Sequence, residues 1–133
     1  MSKFVVNFYR ERDGSKPLGS FIKSLDTRMK AKVVANLNLL EEFGNLAREP
    51  LTKPIEDGLF ELRTIESGNI VRIIYFFDND KIIIATNGFI KKQDKIPRNE
   101  KDLAKARRKD YFARKEAGTY EWFTRINTRI DER

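Results

Sequence analysis

Two arginines stand on expected strands, one alternating with core residues and the other set between apolar neighbours. In Leu59–Thr64 (LFELRT), Phe60 and Leu62 share one face of an expected strand, and Glu61 and Arg63 share the other. In Ile70–Phe77 (IVRIIYFF), Val71, Ile73, Tyr75 and Phe77 alternate with Ile70, Arg72, Ile74 and Phe76, which sets Arg72 between apolar neighbours. A lone strand arginine ordinarily pairs with a carboxylate or reaches solvent. Two on adjacent strands, on faces that the expected N-terminal helix pair leaves uncovered, could instead converge on a phosphate. Each offers a planar fork of donors and keeps its charge at any working pH. Strand register decides which face each takes, and the alternation alone leaves both arrangements open.

A second basic group follows the next strand. Lys91 and Lys92 stand just past its end and Lys95 in the loop beyond, at the rim of a sheet where loops carry functional groups. Residues 91–115 hold eleven basic and four acidic side chains, a net +7 that equals the charge of the whole chain; the remainder is neutral. Such a segment favours phosphate contacts, and it also suits a merely solvated helix face. The chain has no His and no Cys. That removes the commonest general acid/base, the Ser-His-Asp triad, thiolate chemistry, disulfides and the usual zinc ligands. No cofactor or metal is expected. Any catalysis falls to Lys, Arg, Asp, Glu, Tyr or Ser/Thr.

The elements that must position these groups can be read from apolar spacing. The 133 residues, 40% hydrophobic and 35% charged, suit one α+β domain with a real core and a charged surface. Residues 3–9 read as a first strand too short for a signal-peptide core, and no apolar run approaches a membrane span of roughly 20 residues. A cytoplasmic protein is expected. Ser15 is positioned to cap a short helix with Pro17 in its first turn and Leu18, Phe21, Ile22 and Leu25 on one face. Asp26 or Thr27 caps a second, with Met29, Val33, Leu37 and Leu40 in line and Gly44 as its stop. Residues 45–57 read as irregular. Three strands follow, the third (Lys81 to Phe89) nearly continuous in apolar residues, as for a strand covered on both faces. Pro97 precedes a basic helix that ends near Gly118, and 116–133 reads as a helical extension with Trp122, Phe123, Ile126 and Ile130 on a stripe. The expected order is β-α-α-β-β-β-α-α, with helices against a small, mainly antiparallel sheet.

Three segments in order and register carry a family resemblance: LTKPIEDGLFELR (Leu51 to Arg63), GNIVRIIYFF (Gly68 to Phe77) and NGFIKKQDKIPRNEKDLAKARR (Asn87 to Arg108). Together they resemble the HigB branch of the RelE/ParE toxin superfamily, its phage-derived Gp49-like group, over residues 3 to 116. The resemblance implies a RelE-like fold and the toxin of a type II toxin–antitoxin system. It implies a ribosome-dependent mRNA endonuclease, silenced by a cognate helix-turn-helix, HigA-like antitoxin in a hetero-oligomer. Cleavage in this family needs no metal: the ribose 2′-hydroxyl attacks the adjacent phosphate.

On this chain the resemblance assigns Arg72, and secondarily Arg63, to phosphate stabilisation. It assigns Lys91 and Lys92 to RNA contact and proton transfer; a free lysine is a poor base near neutrality unless other cations surround it. The strand position of Glu61, two residues from Arg63 on the same face, makes it an alternative base. Lys95, Arg98, Lys105, Arg107 and Arg108 are the expected RNA-binding side chains. The chain departs from the family where relatives place a Tyr or His after the basic strand end, since Ile96-Pro97 stands there. Tyr75, Tyr111 and Phe89 are the candidates to stack on a base, and the general acid has no assignment. Two alternatives stay open: a non-catalytic, ParE-like inhibitor of DNA gyrase, and an RNA- or ribosome-binding module without cleavage. The antitoxin would meet either the 122–130 stripe or the outer face of the helix pair.

Overall fold

A computed structural model describes residues 3–79, 81–91, 95–120 and 133. In chain order the elements are β1 (Val5–Phe8), α1 (Pro17–Lys23), α2 (Thr27–Phe43), a 3-10 turn at Gly44–Leu46, β2 (Thr52–Pro54), β3 (Phe60–Glu66), β4 (Asn69–Asp78), β5 (Ile82–Ile90) and α3 (Arg98–Ala117). The strands form one sheet in the order β1-β5-β4-β3-β2. The β2–β3, β3–β4 and β4–β5 pairs are antiparallel, and β1 lies parallel to β5. The fold is thus mixed α+β.

Two sequence expectations need correction. The stretch read as irregular contains β2, whose Thr52, Lys53 and Pro54 pair with Leu62, Glu61 and Phe60. Pro54 fits there because an edge strand tolerates a missing N–H. The described order is therefore β-α-α-β-β-β-β-α, with α3 the last described helix; the stripe at 122–130 lies outside the described residues. Ser15 does not cap α1 either. Lys16 takes the cap position without a side-chain capping bond, and Pro17 opens the helix, where no N–H is needed. At α2 the cap is Asp26, whose carboxylate accepts from the Met29 N–H at 2.9 Å.

The α1–α2 hairpin packs on one face of the sheet. Leu18, Ile22, Met29, Val33, Leu37 and Leu40 meet Val6, Phe8, Leu62, Val71, Ile73, Ile83 and Ala85 in the main core. Close approach depends on Gly88 of β5: a Cβ there would stand 2.9 Å from Leu18 Cδ1. A second core fills the opposite face, with Leu59, Ile74, Phe76, Ile84 and Phe89 under Ala104 and Tyr111 of α3.

One bulge allows β5 to serve both layers. Ile74 pairs with Asn87 and Tyr75 with Ala85, leaving Thr86 extra, its hydroxyl donating to the Ile74 carbonyl at 3.1 Å. The alternation therefore shifts by one residue at Thr86. Ile83, Ala85 and Gly88 face the hairpin, while Ile84, Asn87 and Phe89 face α3.

Candidate nucleic-acid interface

The register of β3 against β4 brings the two strand arginines together. Arg63 lies directly opposite Arg72, and Glu61 opposite Ile74, so Glu61, Arg63 and Arg72 share the face turned away from the α1–α2 hairpin. Arg72 Nη1 donates to Glu61 Oε1 at 3.4 Å, and both residues are almost fully buried, at 1% and 3% exposure. Burial pushes the Glu61 carboxyl above its ordinary range, with Arg72, Arg63 and Lys53 only partly opposing it. Arg63 is half-buried, and its Nε finds no hydrogen-bond partner among the described residues. The trio carries one surplus positive charge when Glu61 is ionised.

Phe89 of β5 is Arg72's neighbour on the other side. Beyond it, the Lys91 N–H donates to the Ile70 carbonyl at 2.9 Å, which keeps Lys91 in line at the end of the strand. Lys91, Lys95, Ile96, Pro97, Arg98 and Lys101 then line a depression of about 400 Å³. Four cations around two apolar side chains suit an anion with a flat hydrophobic part, as in a nucleotide. Lys92 lies outside the described residues.

The α3 cations have internal partners as well. Arg98, Lys101 and Lys105 all bond the Glu56 carboxylate, at 3.1, 3.2 and 2.5 Å. Lys105 also reaches Asp57 at 2.9 Å, and Arg108 donates to the Asp57 carbonyl. Arg107 donates to the Thr86 carbonyl at 2.8 Å, pinning α3 to the bulge. Among the expected RNA-binding residues, Lys95 and Arg98 are the ones at the depression. Lys105 and Arg108 hold the β2–β3 loop, and Arg107 is partly withdrawn into the fold. The stripe is less uniformly available than its charge count implies.

Two stacking candidates are misplaced for this interface. Tyr75 lies on the hairpin face, stacked on Phe60 with centroids 5.5 Å apart, and burial pushes its hydroxyl up to about 12. Tyr111 is on the buried face of α3 and donates to Asp78 Oδ2 at 2.5 Å. Phe89 alone of the three adjoins Arg72. Glu56 and Lys101 were not singled out by the sequence reading. Their signal is charge complementarity across 45 residues, which linear spacing does not reveal. Among the described residues, no three metal-ligating carboxylates come together.

A mixed sheet with a helix pair on one face, two cross-strand arginines on the other and a cationic rim defines a small α+β protein. The chain belongs to the phage derived protein Gp49-like family (DUF891), whose profile matches residues 20–109. This is a family of RelE/HigB-like toxin type. The matched span runs from α1 to the basic face of α3 and includes every described candidate for catalysis or RNA binding. Comparison with curated proteins gave no match.

Proposed function

We propose that the protein is the toxin of a type II toxin–antitoxin system and acts as a ribosome-dependent mRNA endonuclease. The observation that carries this reading is the direct cross-strand pairing of Arg63 with Arg72, beside a strand end that delivers Lys91 to a cationic depression. Two guanidinium groups on one sheet face offer donors to the non-bridging oxygens of a single phosphate, whose charge grows in the phosphorane transition state. Family membership supports the toxin class.

In this reading the ribose 2′-oxygen attacks phosphorus and the P–O5′ bond breaks. The products are a 2′,3′-cyclic phosphate and a 5′-hydroxyl. Glu61 is the base: its raised pKa makes it a stronger proton acceptor than an ordinary carboxylate. A phosphate that draws on Arg72 frees the Glu61 oxygen for that proton. Lys91 and Lys92 hold the RNA backbone and protonate the leaving oxygen. A helix-turn-helix, HigA-like antitoxin completes the system.

The test is to induce wild type, Arg72→Ala and Arg63→Ala in cells without antitoxin and to map mRNA ends. Wild type is expected to generate 2′,3′-cyclic phosphate ends and arrest growth, with DNA supercoiling unchanged, and both variants to lose cleavage. Equal toxicity of the arginine variants, or arrest with intact messages, sinks the assignment.

A further inference from the structure

The three cations on Glu56 are spaced as a cradle. Arg98, Lys101 and Lys105 stand at i, i+3 and i+7 on α3, one helical face, and converge on a single carboxylate. Glu56 is presented by a closed loop: the Ile55 N–H donates to the Leu59 carbonyl and the Leu59 N–H to the Glu56 carbonyl, at 2.8 and 2.9 Å. Asp57 and Gly58, both at positive φ, make the turn. The cluster is open to solvent, with the Glu56 side chain 29% exposed. Arg98 and Lys101 also line the depression that holds Lys91 and Lys95, so the cradle is continuous with the candidate interface.

We infer that Arg98, Lys101 and Lys105 form a phosphate subsite whose resting occupant is the Glu56 carboxylate, and that a phosphate of bound RNA displaces it. The identity of the ligand rests on the RNA reading above. A carboxylate and a phosphate compete for the same donors, and phosphate brings more oxygens and more charge to a three-cation site. The cations hold Glu56 ionised well below the usual carboxylate range, at about 2, so at neutral pH the competitor is always present. The internal anion suppresses loose capture of any polyanion. A strand that also engages Lys91 and Lys95 gains enough contacts to expel it.

The test is binding of the full chain to a short fluorescent 2′-O-methyl RNA, which lacks the attacking hydroxyl, and in parallel to inorganic polyphosphate. Glu56→Gln is expected to bind the RNA about fivefold more tightly, with a salt slope steeper by about one phosphate contact. Adding Lys101→Gln and Lys105→Gln is expected to cancel the gain. If Glu56→Gln binds no more tightly, Glu56 is only a clip for its loop and the inference fails. Should that variant not fold, carboxyl ¹³C titration of the unaltered chain decides. RNA is expected to raise the Glu56 pKa toward the ordinary glutamate value, and an unchanged titration overturns displacement. Tighter binding to polyphosphate, with no RNA binding by either protein, would uphold the displaceable carboxylate and overturn the RNA reading separately.

Discussion

Arg63 on β3 and Arg72 on β4 face one another directly across an antiparallel ladder, with Glu61 against only one of them. Like charges directly opposite on a sheet face are destabilising unless an anion intervenes. Glu61 supplies that anion to Arg72 and leaves Arg63 as the half-buried surplus. Arg63→Ala is therefore expected to leave thermal stability unchanged or slightly higher while lowering mRNA cleavage by about 10²-fold or more, the usual cost of one transition-state donor. Differential scanning fluorimetry and primer extension on ribosome-bound message check the two halves.

Arg72→Ala is a different experiment, because it strands the buried Glu61 carboxylate. Removing one partner of a buried ion pair typically costs about 3 kcal/mol or more. The variant is expected to unfold at clearly lower urea, so its lost activity alone says little. Arg72→Leu with Glu61→Leu removes both charges together and is expected to recover most of the stability and none of the cleavage. Urea unfolding followed by far-UV circular dichroism separates these outcomes.

These two residues also show what sequence could and could not supply. Their strand placement is readable because Arg63 alternates with core residues and Arg72 stands between apolar neighbours. That they share a face depends on the β3–β4 register, to which alternation is blind. The Thr86 bulge was hidden for a related reason. A nearly all-apolar strand such as β5 gives no phase to lose, so the shift that sends Asn87 and Phe89 to the α3 side leaves no trace in the pattern. Strand β2 was missed because three residues containing a proline fall below any periodic signal. The basic helix was visible as charge. The partners of that charge, Glu56 and Asp57, come from a loop that only the tertiary fold carries beneath it.

The two glutamates predict opposite pH behaviour. Glu56 has a folded pKa of about 2 against an ordinary 4.5, so its contribution to stability is present above about 4.5 and is lost as pH falls toward 2. Glu61 has a folded pKa above its ordinary value. Its contribution is complete below about 4.5 and is lost as pH rises through the folded pKa. Melting temperature against pH is expected to fall less steeply in acid for Glu56→Gln than for wild type. For Glu61→Gln, the decline on the alkaline side of pH 4.5 is expected to flatten. If Glu61 is the base, cleavage by wild type rises with pH through that same folded pKa, and the limb disappears in Glu61→Gln.

Gly44, which ends α2, is at φ +52, and a Cβ there would stand 2.0 Å from the Phe4 ring. Both the backbone and the packing therefore exclude a side chain. Gly44→Ala is expected to destabilise by about 2 kcal/mol or more, since strain at positive φ adds to a clash that Phe4 must relieve. Phe4→Leu in the same background is expected to restore part of the loss. Urea unfolding of the two variants checks this, and a neutral Gly44→Ala would mean that Phe4 does not occupy the position.

Among the described residues, the outer edge of β1 is met by Glu41 and Arg133. The Val6 N–H donates to Glu41 Oε2 at 2.8 Å, the Phe4 N–H to the Glu41 carbonyl at 2.9 Å, and the Phe8 N–H to the Arg133 carbonyl at 2.8 Å. Arg133, fully buried, in turn donates from Nη2 to Glu41 Oε1 at 3.1 Å and to Asn38 Oδ1 at 2.7 Å. One carboxylate thus holds β1, α2 and Arg133 together, and it occupies a donor on the strand edge where another chain could pair. Glu41→Ala removes the acceptor from a buried N–H and the counter-charge from a buried guanidinium. It is expected to cost about 3 kcal/mol in urea unfolding. Arg133→Met keeps the packing volume without the charge and is expected to cost less. If β1 becomes available in Glu41→Ala, sedimentation velocity will show self-association that wild type lacks at equal concentration. A variant that unfolds early yet stays monomeric would place the whole effect in the ion pair and none in the protection of the edge.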